Sequence, residues 1–261
     1  METRLEEDRK YDHSVTQALL GDVREFFQGL RLAVPERGSV RAAAEKGAAQ
    51  DPVELFRIEK GCEPIYASCS GGSDMEENLI LFQDRLEELL DHLIDLLNRN
   101  KDLDEESQKN LNNYARAVHK AVKVYENQRR RKTAGLQVLE TVAEIREALR
   151  QLFSEIVGSY IIVVLCDGLY ERVKNDAGPI YKMVIREVNG FLAGLGVYTE
   201  TVTPGERPNP ELVEPTPDSA ENFTDDYQKF EAVDKVCRYP YLFADGTKII
   251  DGRARIWRRR D

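Results

Sequence analysis

The chain has 261 residues, enough for one or two domains, with a formal net charge of −10, 32% charged and only 8% aromatic residues. That balance suits solvated helices better than a compact enzyme core, and 47 acidic against 37 basic residues argue against a nucleic-acid binder, because phosphates attract cationic surfaces. Four cysteines make no disulfide framework, so a reducing cytoplasm is expected, and the acidic start M-E-T-R-L-E-E-D lacks the apolar core of a signal peptide.

In chain order, Val15, Leu19, Val23, Phe26 and Leu30 recur at helical spacing and predict a short amphipathic helix over Ser14 to Arg31. It reads as a satellite packed on the main body, since its polar face lacks the basic excess of a membrane-surface helix. From Ala33 to Ser73 prolines and glycines break every pattern, which predicts a linker, with Val53, Leu55, Phe56 and Ile58 as one docking turn. Cys62 and Cys69 have no histidine nearby, so a zinc site is not expected. Asp74 is placed to cap a helix carrying Leu79, Phe82, Leu86, Leu89, Leu93 and Leu96. Asn98 to Asp104 interrupts it, and Asp104-Glu105-Glu106 restarts it at the positive end of a new helix dipole.

The longest pattern runs from Ser107 to Leu195. Leu111, Ala115, Val118, Val122 and Tyr125, then Val142, Ile145, Leu149, Leu152 and Ile156, alternate at steps of three and four. This is one apolar seam on a stalk with no visible intrachain partner, so a second copy is the expected partner and a homodimer the expected state. Val118, Val122, Tyr125, Leu149, Leu152 and Ile156 are its candidate dimer contacts. Weak seam positions at Ala115, Arg129 and Gly135 predict that the stalk melts before the rest. A basic knot, Tyr125 to Lys132, interrupts the seam; it reads as a solvated turn or as a contact for an acidic partner, with Gly135 as a local hinge.

Tyr160 to Cys166 is apolar and β-branched between two glycines; strand and helix both fit it, and it is far short of the ~20 residues that cross a bilayer, so no membrane is expected. Asn175 to Pro179 is a turn, and Pro179 opens a helix that Gly194 or Gly196 ends. Beyond it, Val197 to Thr203 alternates as a strand, Pro204 to Tyr227 is a proline-rich loop, and two further strands, Phe230 to Arg238 and Thr247 to Trp257, flank a hairpin signal at Asp245-Gly246. Charge divides here: residues 201 to 235 carry nine acidic and three basic groups, and residues 236 to 261 seven basic and three acidic. The predicted fold class is therefore α+β, in three parts: 1–73 an N-terminal helix and linker, 74–196 a helical stalk and bundle, 197–261 a small β domain.

Catalytic patterns are missing from the sequence. There is no Walker A loop, no G-x-G-x-x-G, no G-x-S-x-G and no H-E-x-x-H, and His13, His92 and His119 stand far apart. An enzyme is not expected, nor a cofactor or metal.

The order of parts resembles the GrpE family, the nucleotide exchange factors of DnaK-type chaperones, over roughly Tyr114 to Trp257. Glu126 to Arg131 (E-N-Q-R-R-R) is similar to that family's E-N-x-R-x-R, and V-L-C-D-G-L at Val164 to Leu169 to its L-P-V-L-D-N-L helix, which favours helix for the ambiguous run. Ile180 to Val197 resembles its last bundle helix, Pro204 to Leu212 its G-E-x-F-D-P loop, and Val233 to Ile256 its final strands. The family's loop histidine has Val213 near its place, and the glycine before its tyrosine is Pro240. The resemblance implies a cytoplasmic, homodimeric co-chaperone in protein folding and the stress response. It would bind the chaperone's ATPase domain through Asn209, Pro210, Tyr241 and Arg253, with Arg129 and Arg131 on the stalk. The rival expectation is a coiled-coil adaptor or scaffold without exchange activity.

Overall fold

The computed structural model describes residues 51–259, apart from 101, 137–138, 140, 175–177 and 218–221. The helix expected over Ser14 to Arg31 and the first part of the linker lie outside the described residues. From Pro52 on, the stretch expected to be a linker is docked. Asp51 caps a short turn, Pro52–Phe56, by accepting the Val53 amide at 3.2 Å. Val53, Phe56 and Ile58 are buried, as the docking turn requires.

Helix α1 spans Gly72–Arg99. Its leucine stripe, Leu79 to Leu96, is buried, as the three-four spacing demands. Asp74 lies inside the first turn rather than before it, and its carboxylate reaches back to the Ser70 amide at 2.8 Å. Helix α2 spans Glu105–Leu136. Asp104 starts it by accepting the Ser107 amide and hydroxyl at 2.8 and 2.7 Å, and these bonds hold its carboxyl below the usual range.

The two helices fold back on each other. Tyr125 donates its hydroxyl to the Leu79 carbonyl at 2.7 Å, and Arg129 pairs with Glu76 and donates to Gln83 at 2.8 Å. The seam expected to face a second copy thus has its partner in the same chain. Val118, Val122, Tyr125, Leu149, Leu152 and Ile156 are all buried within the single chain, so an interface between copies is not needed to cover them.

The stalk is also not continuous. It stops at Leu136, and Thr141 begins helix α3, Val142–Ile156, with a reciprocal capping box to Glu144. Thr141→Ala is expected to cost about 1 kcal/mol in urea unfolding, the typical worth of such a cap. No measurable loss would mean that packing alone sets this helix start. Helix α3 then runs without a break through a ten-residue π-helical stretch, Val157–Cys166, into α4, Asp167–Val173. The ambiguous apolar run is therefore helical. Its buried residues come in pairs, Val157-Gly158, Ile161-Ile162, Leu165-Cys166 and Leu169-Tyr170, while Val163 and Val164 face outward. That repeat of four is longer than the 3.6 residues of an α-turn, and the wider π turn accommodates it.

The Val142–Val173 rod is longer than its apolar run. By length and composition alone it could cross a membrane, with a mean hydropathy of 1.8 and 56% of that window buried in the chain. It lies antiparallel to α2: Gln128 meets Glu155 near one end, and Arg172 donates to Asn110 at 3.3 Å near the other. Helix α5, Pro179–Gly194, opens on its proline and returns alongside α1 and α2. The Tyr181 hydroxyl accepts from Asn110 at 3.1 Å, and His92 lies 3.0 Å from Glu187. The result is an up-down-up-down four-helix bundle with short connections.

A small β region follows. Strands β1 Val197–Thr199, β2 Val213–Pro215, β3 Phe223–Thr224, β4 Val233–Arg238, β5 Tyr241–Phe243, β6 Lys248–Ile250, β7 Gly252–Ile256 and β8 Arg258–Arg259 form the sheets β1-β5-β6, β2-β7-β4 and β3-β8. The Asp245-Gly246 turn joins β5 to β6, with Gly246 at φ +88°. The strand expected over Thr247 to Trp257 is split at Asp251, and Val197 to Thr203 is a strand only as far as Thr199.

Bundle and sheets are not separate bodies. Residues 49–261 form one compact unit with one continuous core. The docked N-terminal stretch helps to join them: Thr199 donates its amide to the Ile58 carbonyl at 3.0 Å, and Asn189 donates to Leu55 at 2.8 Å.

Candidate functional site

The partner-binding residues expected from the sequence do not form one surface. Asn209 and Pro210 sit on an exposed loop that is held in shape. The Asn209 side chain accepts the Glu211 amide at 3.0 Å, and its carbonyl accepts the Leu212 and Val213 amides. That is the local turn asparagine favours. Two backbone bonds moor the loop to β4, Gly205 to Val233 at 2.7 Å and Val233 to Glu206 at 2.8 Å, and Lys248 donates to the Glu211 carbonyl.

Tyr241 corrects the expectation. It is 1% exposed on the central strand of its sheet, and burial pushes its hydroxyl pKa well up. It shares a hydrogen bond with Cys166 of the π-helical stretch and belongs to the core, out of reach of a partner. Arg129 is likewise engaged by Glu76 and Gln83 on α1, while Arg131 is exposed. Cys166 is no nucleophile, because burial raises its thiol to about 12, far from thiolate at neutral pH.

Arg253 lies elsewhere, in a cleft of about 470 Å³ between α4 and the β4-β7 pair. On the cleft wall Arg238, 8% exposed, donates to Asp167 at 2.7 Å and to the Asp251 carbonyl at 3.1 Å. This pair fastens α4 to β4. Burial raises the Asp167 carboxyl more than Arg238 and Arg253 lower it. Lys174, Lys235, Cys237 and Arg255 complete most of the lining. The exposed loop and the cleft sit at opposite ends of β2: Asn209 precedes it, and Thr216, at the cleft, follows it.

Sequence reasoning found Arg253 through a motif but missed Lys174, Lys235 and Arg255. The available signal was the basic excess after residue 235, which was ascribed to the terminal arginines. Among the described residues no group of three or more His, Cys, Asp or Glu is placed to hold a metal ion. No family model, curated protein or solved structure matches this chain.

Proposed function

We propose that this chain is a GrpE-like co-chaperone that promotes ADP release from a DnaK-type chaperone. The exposed, moored loop at Asn209 and Pro210 carries the reading. It follows the α5–β1 junction in the order the resemblance requires, and a loop ordered before docking loses less entropy on binding. Asn209, Pro210 and Arg253 form the contact set, with Arg131 as a second point on α2; Tyr241 acts only by holding β5. The mechanism involves no covalent step. Binding favours an ATPase domain with an open nucleotide cleft, and ADP leaves because the preferred state no longer closes on it. A second copy has no part in this reading, since the seam that motivated one is covered within the chain.

That same covered seam favours a second reading, a helical adaptor that binds the chaperone without exchange activity. Release of a fluorescent ADP analogue from purified DnaK-type chaperones separates the two. Exchange predicts an acceleration of at least about fivefold at saturation, the lower end of coupling between two sites. Binding with an unchanged release rate selects the adaptor. Absence of binding rejects both.

A further inference from the structure

The cleft beside Arg253 has an electrostatic imbalance that the exchange-factor reading does not use. Strands β4 and β7 place Lys235 directly opposite Arg255 and Arg238 directly opposite Arg253. Like charges facing each other across a strand pair are destabilising, and two such pairs in one short ladder are doubly so. Three cations in and around the cleft have carboxylate partners: Arg238 with Asp167, Arg255 with Asp234 and Lys174 with Glu171. Lys235 and Arg253 have no ion-pair partner among the described residues. Glu214 stands opposite Arg253 on the parallel β2 but makes no ion pair with it. Cys237, half-buried between these strands, has Lys235, Arg253 and Arg255 close enough to offset part of the rise that burial imposes on its thiol.

We propose that this cleft is a phosphate-binding site whose ligand group is a phosphate monoester, held by Lys235 and Arg253. A phosphate dianion matches two unpaired cations, where one carboxylate matches a single cation. Arginine's planar fork meets phosphate oxygens in pairs, and lysine adds a point charge beside it. A cleft of about 470 Å³ has room for a small phosphorylated molecule or a phosphorylated side chain. Asp167, Glu171 and Glu214 around it oppose a long polyanion, so nucleic acid does not fit. The inference stands independently of any chaperone partner.

The test compares inorganic phosphate, O-phosphoserine and chloride at equal ionic strength, using the full chain. Phosphate and phosphoserine should each raise the thermal midpoint by about 2–4 °C at tens of millimolar, the linkage expected of a millimolar site. Phosphoserine binding better than phosphate points to a protein-borne group; equal binding points to a small-molecule source. Lys235→Gln with Arg253→Gln should weaken phosphate at least tenfold, while Arg130→Gln on α2 leaves it unchanged. Without ligand, the double variant should unfold no earlier than the natural chain, because it removes repulsion. If the double variant fails to fold, amide shifts of the natural chain decide: perturbations confined to residues 174, 235–238 and 253–255 support the site. Shifts centred on Arg130 to Lys132 overturn it, as does a phosphate effect no larger than that of chloride. A glutamate-rich peptide that binds more tightly than phosphoserine also overturns it, in favour of acidic-peptide docking.

Discussion

Phe153→Ala is expected to lower the unfolding free energy by about 3–5 kcal/mol, the range for removing a fully buried aromatic side chain. Phe153 stacks on Phe82 with ring centroids 4.2 Å apart and planes 3° from parallel, and Tyr125 closes the group 4.9 Å from Phe82. All three rings are completely buried. They come from α3, α1 and α2, so truncating one loosens three of the four rods together. The Tyr125 hydroxyl is tied to Leu79 and cannot swing in to fill the void. Because the core continues into the β region, helix circular dichroism and Trp257 fluorescence should report one shared, earlier transition. This reverses the expectation that a stalk melts first. A loss under about 1 kcal/mol, or a shift in one probe only, would show that the rods are not coupled in this way.

Gly196→Ala is expected to cost about 2–4 kcal/mol for two separate reasons. The residue ends the turn from α5 into β1 at φ +77°, a left-handed conformation that resists any Cβ. A Cβ placed there would also lie 2.6 Å from the Glu63 carbonyl oxygen and from the Pro64 nitrogen. Both are backbone atoms of the docked N-terminal stretch and cannot rotate away. Gly190→Ala is the matched control. Gly190 lies within α5 with open space where its Cβ would stand, so alanine there should stabilise by about 0.5–1 kcal/mol. Equal effects at the two positions would argue that the close approach at Gly196 relaxes freely.

The parts of the fold legible in the sequence were those set by local chemistry. The leucine stripe of α1, the restart at Asp104, the opening proline of α5 and the Asp245-Gly246 turn all follow from residues within one or two turns of each other. What the stripe could not tell was whose helix it faced. An apolar seam at steps of three and four satisfies a second copy and a helix folded back from the same chain equally well. The break before α3 was in fact written in the sequence, as Thr141 followed three residues later by Glu144. It went unread because the apolar spacing resumed in phase across it. Tyr241 was taken for a surface anchor because its chemistry suits one; its place in the middle of a three-stranded sheet depends on pairing with residues more than forty positions away. The cationic cleft was illegible for the same reason. Lys235 and Arg255 face each other only once the strand register is known.

A four-rod core assembled from a single chain frees the molecule from dilution. An architecture that shares its rods between two copies comes apart when the copies grow scarce, and its folded fraction then tracks expression level. Here Phe82, Tyr125 and Phe153 meet within one polypeptide, so each chain is self-sufficient from the moment its synthesis ends. Its response to a partner should therefore rise in simple proportion to the number of chains, with no threshold concentration.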